Sequence, residues 1–252
     1  MVFKKSQRKI LILKTGNTII DLIDRGRDFE QFFITVSGLA ADFFVCQSLH
    51  LHDELSNLTK VAGIIITGSP AYITDVASWN FIGAEYIRKA HGEGIPILGV
   101  CYGHQLVAWA FGGAVDFNPK GREIGTVEVS KTEAAQEDAL FSALPKNFKV
   151  QASHQQSVTR LPNHAVRLAF NDFEINHAFC LGSKTWGVQF HPEFSAEIIK
   201  AYIKSRQNCL KVEGFNVGAL LDSAEVTNAS AALVRNFCNI ALKNQDVLGK
   251  LF

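Results

Sequence analysis

Short apolar runs alternate with polar or amphipathic stretches over the first 100 residues of the chain. Four of these runs have the length and continuity of buried strands: Lys9–Leu13, Asp42–Cys46, Gly63–Thr67 and Ile95–Val100. A helix is predicted from Ser78 to His91, because apolar residues recur there between a possible N-capping serine and Gly92. Buried strands joined by a crossover helix indicate a parallel sheet.

The pattern changes after Gly113, where apolar and polar residues begin to alternate strictly. Such alternation is typical of half-buried antiparallel strands. It is found in Glu123–Ser130 and Phe148–Ala152, and continues in Val166–Phe170, Ala178–Leu181 and Thr185–Phe190. We therefore predict an α/β protein whose sheet is mainly parallel, with an added antiparallel portion.

The C-terminal part of the chain is predicted to be largely helical. One helix is expected from Ser195 to about Asn208, Val212–Leu221 is expected to be a loop, and an amphipathic stretch follows over Ser223–Lys243. The last segment could cap the sheet, dimerise or dock a partner, and packing within the chain is the default expectation. The length favours a single domain over residues 1–252, with a core at about 9–208 and a helical extension at 209–252.

Composition narrows the classes of function. The net charge is +1 and no basic block occurs, so neither nucleic acid nor a membrane surface is indicated as a partner. The apolar stretches are too short to span a bilayer, and the basic start has no secretory apolar segment after it, so a cytoplasmic location is expected. Five widely spaced cysteines without a CxxC pair predict free thiols rather than disulfides or a zinc site.

One of these cysteines lies at a predicted junction between a strand and a helix. Gly99-Val100-Cys101-Tyr102-Gly103 has the G-x-nucleophile-x-G form of a nucleophile elbow, with cysteine in place of serine. The two glycines give room for a sharp turn that exposes the thiol at the helix N-terminus, where its thiolate is favoured. The alternative is a tight structural turn. The other four cysteines are expected to be buried as small apolar side chains.

A cysteine nucleophile needs a base, and the base needs a group that orients it. The predicted strand Thr185–Phe190 ends in His191-Pro192-Glu193. His191 could exchange a proton with Cys101, while Glu193 holds the imidazole ring and stabilises its charged form. A surface histidine beside a solvated glutamate is the alternative, and only the pairing with Cys101 argues against it.

The segments VCYGHQ and GVQFHPEFS closely resemble the two signature segments of the class I (triad type) glutamine amidotransferases. The resemblance runs from about Lys9 to Lys204 and is strongest to stand-alone members similar to the amidotransferase domain of GMP synthetase. It implies a three-layer, flavodoxin-like open sheet and a catalytic triad of Cys101, His191 and Glu193. No metal and no cofactor are implied.

Further segments extend the resemblance to substrate binding. The loop at Gly68 resembles the family's oxyanion loop, which implies that the backbone N–H groups of Gly68 and Tyr102 bind the oxyanion; Ser69 stands where many members have a second glycine. The resemblance also implies that glutamine contacts Gln105 and the segment Ser153, His154 and Gln155, although many relatives read His-Gly-Asp there and the strand of His154 could be purely structural. Arg122 and Glu123 are interpreted as a solvated or structural charge pair.

The implied reaction is hydrolysis of the side-chain amide of L-glutamine through a Cys101 thioester. No P-loop occurs and little sequence follows Phe194, so the ammonia acceptor is expected on a separate synthetase partner, if there is one. Three alternatives stay open. They are a γ-glutamyl peptidase or hydrolase that uses the same triad, a catalytically silent regulatory or binding protein, and a redox-sensing cysteine that would not need the His-Pro-Glu segment.

Overall fold

The computed structural model describes residues 8–248 and the side chains of residues 8–243. The strands in this part of the chain form a nine-stranded sheet and a separate antiparallel pair. Strands β1 to β11 are Lys9–Lys14, Phe44–Ser48, Val61–Ile66, Ile97–Val100, Ala114–Phe117, Glu123–Lys131, Asn147–His154, Gln156–Arg160, Ala165–Phe170, Ala178–Leu181 and Thr185–Val188. Helices α1 to α8 are Ile20–Ile23, Phe29–Ser37, Ser78–Gly92, Tyr102–Ala110, Ala196–Ser205, Gln207–Val212, Val217–Asp222 and Asn228–Leu248.

The large sheet has the strand order β2-β1-β3-β4-β11-β10-β9-β6-β7. The pairs from β2 through to β11 are parallel, and the pairs from β11 through to β7 are antiparallel. The order 2-1-3-4 at the parallel end is that of flavodoxin-like folds. The predicted α/β class, with a mainly parallel sheet and an antiparallel portion, is confirmed.

Alternate residues of the parallel strands enter two different hydrophobic clusters, as the two-residue period of a strand requires. Ile10 and Ile12 of β1 pack with residues of α2 and α8 on one face of the sheet. Leu11 and Leu13 pack with residues of α3 and α4 on the other face. The sheet is therefore the middle of three layers, and both of its faces are buried.

Helix α8 forms part of the core. Leu233, Val234 and Phe237 are fully buried, and the ring of Phe237 meets Trp186 of β11 edge to face, with 6.3 Å between the ring centres. Of the roles considered for this segment, packing within the chain is the one that the described residues display. Residues 1–7 and 249–252, at the two ends of the expected domain 1–252, lie outside the described residues.

Several predicted elements differ from the structure. The segment Val212–Leu221 is no loop, since it contains most of α7, whose Asn216 side chain accepts a hydrogen bond from the Ala219 N–H and so caps the helix. The helix expected over Ser195–Asn208 breaks at Arg206 into α5 and α6. The short antiparallel pair β5–β8 was not predicted.

Two predictions of burial were wrong. Strand β2 lies at the edge of the sheet with only Phe44 fully buried, and Cys46 in the same strand is exposed. Cys209 is exposed as well, because α6 turns it toward the surface, whereas Cys180 and Cys238 are buried as predicted.

Among the described residues no helix is long and apolar enough to cross a membrane.

Candidate active site

Three adjacent parallel strands, β3, β4 and β11, end at the same edge of the sheet. In the register, Gly99 of β4 lies between Ile66 of β3 and Gly187 of β11. The loops that follow these strands carry Gly68, Cys101 and His191. Ligands bind in this position, at the carboxyl ends of the strands, in open α/β sheets.

Cys101 occupies the turn between β4 and α4 in a conformation that few L-residues adopt, with φ 52° and ψ −102°. Its backbone N–H donates a 2.9 Å hydrogen bond to the carbonyl of Val188, which fixes the turn to β11. A strained backbone of this kind is characteristic of functional sites. The turn between β4 and α4 therefore has the sharp backbone geometry that was predicted for a nucleophile elbow.

The glycines on either side of Cys101 are required for steric reasons. A Cβ at Gly99 would lie 2.3 Å from the carbonyl oxygen of Gly103, and a Cβ at Gly103 would lie 2.4 Å from that of Ile66. Both obstacles are backbone atoms, which cannot rotate away. Any side chain at either position would therefore force the strand and the helix apart.

His191 and Glu193 both lie just beyond β11 and are almost fully buried. The Nδ1 atom of His191 is 2.8 Å from Oε1 of Glu193, and the imidazole is close enough to the Cys101 thiol to lower the pKa of that thiol. Phe194 stacks on the imidazole ring with 4.0 Å between ring centres. The backbone N–H of His191 donates to the Gln151 carbonyl. The three side chains that the sequence singled out are thus brought together.

The charges of these side chains favour a thiolate at Cys101 beside an imidazolium at His191. Burial raises the pKa of the Cys101 thiol, but His191 and His154 together outweigh burial and hold the pKa below its usual value. Burial lowers the pKa of His191, but Glu193 and Cys101 outweigh burial and raise the pKa above its usual value. Each partner therefore stabilises the charged form of the other.

The backbone N–H groups of Gly68 and Tyr102 make no hydrogen bond to any residue between 8 and 248. The N–H of Tyr102 belongs to the first turn of α4, whose N–H groups have no partner within the helix. A Cβ at Gly68 would lie 2.9 Å from Cε1 of His191, so the loop must approach the imidazole closely. Ser69, at the position of the family's second glycine, donates to the Thr15 carbonyl.

The structure brings the predicted glutamine-binding residues to one pocket beside Cys101. Gln105 is nearly buried, and its amide nitrogen donates to the Gln156 carbonyl and to the Gln189 side chain. Only its carbonyl oxygen is left for a ligand. The Ser153 carbonyl lies 4.0 Å from the Cys101 sulfur, and the Gln155 side chain accepts a hydrogen bond from the Tyr72 hydroxyl.

His154 belongs to a buried ionic cluster behind that pocket. Its Nε2 atom is 2.9 Å from Oε2 of Glu123, which is also 3.1 Å from Nε2 of His177, and Asn171 donates to the other carboxylate oxygen. Burial raises the pKa of Glu123, but the two histidines outweigh it and hold the pKa well below its usual range. Burial lowers the pKa of His154, and Glu123 reverses this to a net increase.

The interpretation of Arg122 and Glu123 as a charge pair was wrong. Glu123 is the buried partner of His154, and Arg122 instead forms an ion pair with Glu213 of the α6–α7 connection, at 2.8 and 3.0 Å. Arg122 lies just before β6, whereas Glu123 is the first residue of that strand and pairs with His154 of β7, so the two charges have different partners. Among the side chains of residues 8–243, no three His, Cys, Asp or Glu groups are arranged to hold a metal ion.

Sequence reasoning missed a second pocket and one residue that joins it to the first. This second pocket lies on the His191 side of Cys101 and is lined by Asn17, Thr18 and Tyr202 among others. Arg206, at the break between α5 and α6, borders both pockets. A single arginine in a helical stretch carries no sequence signal for such a position.

Comparison with known proteins gives the family. The family model described as "Glutamine amidotransferase class-I" matches residues 36–206, well over half of the chain. The chain therefore belongs to the class I glutamine amidotransferase family.

Curated relatives include glutamine-hydrolysing GMP synthases. The one from Porphyromonas gingivalis is 36% identical over 187 residues, which are 73% of this chain and 33% of that protein. The one from Borrelia garinii is 34% identical over 157 residues, 60% of this chain and 28% of that protein. The chain thus spans about a third of the length of these synthases. A protein named gamma-glutamyl peptidase 4, from Arabidopsis thaliana, is 29% identical over 148 residues, 58% of this chain and 59% of that protein.

Solved structures agree on the fold. A glutamine amidotransferase from Thermotoga maritima superposes with a TM-score of 0.75 at 20% identity, covering 94% of this chain and 99% of that one. One from Methylobacillus flagellatus gives the same TM-score and identity, and covers 95% and 96%.

Proposed function

We propose that the chain hydrolyses the side-chain amide of L-glutamine to glutamate and ammonia, with Cys101 as nucleophile. The observation that carries this proposal is the buried His191–Glu193 pair beside Cys101, whose thiol stands on a strained elbow at the carboxyl end of β4. Membership of the class I amidotransferase family supports the same chemistry.

The reaction follows from these positions. The thiolate sulfur attacks the carboxamide carbon, and the electron pair of the carbonyl bond moves to its oxygen, where the free N–H groups of Gly68 and Tyr102 stabilise the charge. The imidazolium of His191 gives its proton to the departing nitrogen, so that ammonia leaves and a thioester remains. His191 then takes a proton from water, whose oxygen attacks the thioester and releases glutamate and the thiol.

Substitution of the nucleophile tests this proposal. Cys101→Ser should abolish glutamate formation and labelling by a diazoketone analogue of glutamine, with mass spectrometry locating the label on Cys101 in the unmodified protein. Cys46→Ser is the matched control, because Cys46 is an exposed cysteine at the sheet edge, away from the site, and the variant should retain full activity. Turnover that survives in Cys101→Ser would refute the mechanism. A wild-type chain that neither turns over nor is labelled would favour the silent binding protein.

A second candidate function is hydrolysis of γ-glutamyl amides larger than glutamine. The pocket on the His191 side of Cys101 lies where the leaving group receives its proton, and it offers space for an amine rather than ammonia alone. The thioester step is the same for both leaving groups. The resemblance to a gamma-glutamyl peptidase also supports this candidate.

Competition between substrates separates the two candidates. Values of kcat/KM would be measured for glutamine and for a γ-glutamyl dipeptide under the same conditions. A dipeptide cleaved many times faster than glutamine would establish the hydrolase and remove the amidotransferase function. Faster cleavage of glutamine would support the first proposal.

We further propose that the ammonia is passed to an acceptor site outside the described residues, on a separate synthetase partner. Similarity to proteins named glutamine-hydrolysing GMP synthases, in which the matched segment is only about a third of the protein, supports an acceptor site beyond the amidotransferase part. Purification of the tagged chain from its native cells should recover such a protein, and adding it with its substrates should raise the glutaminase rate. High activity of the isolated chain, unchanged by any recovered protein, would contradict it.

A further inference from the structure

Arg206 lies at the junction of the two pockets that open on Cys101. Its guanidinium is stacked over the ring of Tyr202 at 4.6 Å, and the Tyr202 hydroxyl is held at 2.7 Å from the Thr18 hydroxyl. The contact with the ring holds the guanidinium in place. The cation is thus built into the site by the contact between α5 and the loop after β1.

The guanidinium of Arg206 has no carboxylate partner among residues 8–243. Its one side-chain hydrogen bond to a described residue is a long one, 3.4 Å from Nη1 to the Ser205 hydroxyl. Arg122, the other arginine of the first pocket, differs in this respect, because Glu213 holds it with two hydrogen bonds. Arg206 therefore brings a positive charge that no described side chain neutralises.

A half-buried guanidinium with five N–H donors gains most from a planar anion that accepts two of them. Burial lowers the pKa of Arg206 from its usual value, and the nearby Arg122 lowers it further, so the position is electrostatically unfavourable without an anion. A bound anion would offset this cost. The substrates under consideration all carry at least one carboxylate.

We propose that Arg206 binds a carboxylate of the substrate at the junction of the two pockets. The inference rests on the proposed function, since it assigns a specificity-determining residue to that site. Two carboxylates have the required chemistry. One is the α-carboxylate of the glutamyl group, and the other is the carboxylate of an amino acid that leaves as the amine.

The test pairs substrates that differ only by a carboxylate. L-Glutamine would be compared with L-glutamine α-amide, and γ-glutamylglycine with γ-glutamylethylamide, each with the wild-type chain, Arg206→Met and Arg206→Lys. Arg206→Met should raise KM about 10- to 100-fold for the substrate whose carboxylate it loses, as expected for hydrogen bonds to a charged group, with a smaller effect on kcat. Arg206→Lys should restore part of the loss, because it keeps the charge but not the two-pronged geometry.

The pattern of losses identifies the carboxylate. A loss for L-glutamine that disappears with its α-amide supports the proposal and assigns the α-carboxylate. A loss for γ-glutamylglycine that exceeds the loss for γ-glutamylethylamide supports it and assigns the leaving group. Equal losses within both pairs, or none, would overturn it. Lys204→Met removes an exposed charge two residues away and should alter neither pair.

A binding measurement keeps this inference separate from the catalytic proposal. In a Cys101→Ala background, calorimetry would give Kd for L-glutamate and γ-glutamylglycine with and without Arg206→Met, and the urea midpoint would confirm that each variant is folded. If the wild-type chain hydrolyses none of the four compounds, the proposed function fails, yet binding weakened by Arg206→Met would still support the carboxylate site. Binding that Arg206→Met leaves unchanged would overturn it.

Discussion

The Nδ1 atom of His191 and the Oε1 atom of Glu193 are 2.8 Å apart, although only Pro192 separates the two residues in the chain. The contact occupies Nδ1 and leaves Nε2 of the imidazole available for Cys101, and the carboxylate helps to keep the ring protonated. Both effects depend on the negative charge of Glu193 as well as on its shape. Glutamine at this position would preserve the shape and remove the charge.

Glu193→Gln should therefore reduce kcat/KM for glutamine by about 100-fold or more. In the proposed mechanism protonated His191 is needed to release ammonia, so its raised pKa would set the alkaline limit of activity. Without the carboxylate that pKa falls, so the alkaline limb of the pH profile should move to lower pH. Steady-state kinetics across pH would measure both effects. Glu197→Gln, which removes an exposed carboxylate of α5, should leave the profile unchanged, and an unmoved alkaline limb in Glu193→Gln would contradict the role given to Glu193.

The turn at Cys101 should tolerate no side chain at Gly103. In Gly103→Ala the new carbon would lie 2.4 Å from the Ile66 carbonyl oxygen, and we expect a loss of about 3 kcal/mol or more in the free energy of unfolding. Urea denaturation would measure it. Gly92→Ala at the exposed end of α3 is the matched control, because no atom lies within 4 Å of the added carbon, and it should be neutral or slightly stabilising. Equal stability of the two variants would argue against the steric account.

The cluster of Glu123, His154 and His177 should govern how stability depends on pH. The pKa of Glu123 is lowered in the folded chain, so its contribution is complete above its unfolded pKa of about 4.3 and is lost as the pH falls below that value. The pKa of His154 is raised, so its contribution is complete below about 6.5 and is lost as the pH rises above that value.

Glu123→Gln should consequently be less stable than the wild-type chain by about 3 kcal/mol between pH 5 and 6.5, with a smaller difference at pH 3.5 and at pH 9. Urea denaturation at pH 3.5, at a pH between 5 and 6.5, and at pH 9 would measure the difference in stability. Glu225→Gln, which removes an exposed partner of Lys149, should show no such dependence. A difference that stays constant with pH would exclude the cluster as its source.

Helix α8 should be necessary for the stability of the sheet. Phe237→Ala removes a fully buried ring that contacts Trp186, and should lower the free energy of unfolding by about 3–5 kcal/mol. Val226→Ala, at a 69% exposed position just before the helix, should change it by less than about 0.5 kcal/mol. A small loss in Phe237→Ala would mean that α8 is only loosely attached.

The sequence predicted the parallel strands and the elbow because local pattern decides both. Buried parallel strands are continuous apolar runs, and the turn at Cys101 needs glycines at fixed offsets. The exposure of Cys46 was not predictable in this way, because it depends on β2 being the edge strand. The partners of Glu123 were also missed, since the alternating faces of β6 and the pairing with β7 bring His154 to it from 31 positions away.

The location of Arg206 depends on tertiary structure alone. Its place at the two pockets follows from the break between α5 and α6 and from the stack on Tyr202, and neither is visible as a motif. The signature segments instead mark the residues that the chemistry itself constrains. Residues that select the substrate are free to come from any element that reaches the opening.

Gly68, Cys101 and His191 all follow neighbouring strands of one sheet. This arrangement limits which parts of the protein can change in evolution or by design. The proposed bond-breaking groups are fixed by backbone pairing, whereas Asn17, Thr18, Tyr202 and Arg206 belong to helices and loops outside the sheet. Remodelling those outer elements would alter which amide is accepted and leave the cleavage machinery intact. A new specificity for the amide substrate could therefore be engineered, or selected, without changing Gly68, Cys101 or His191.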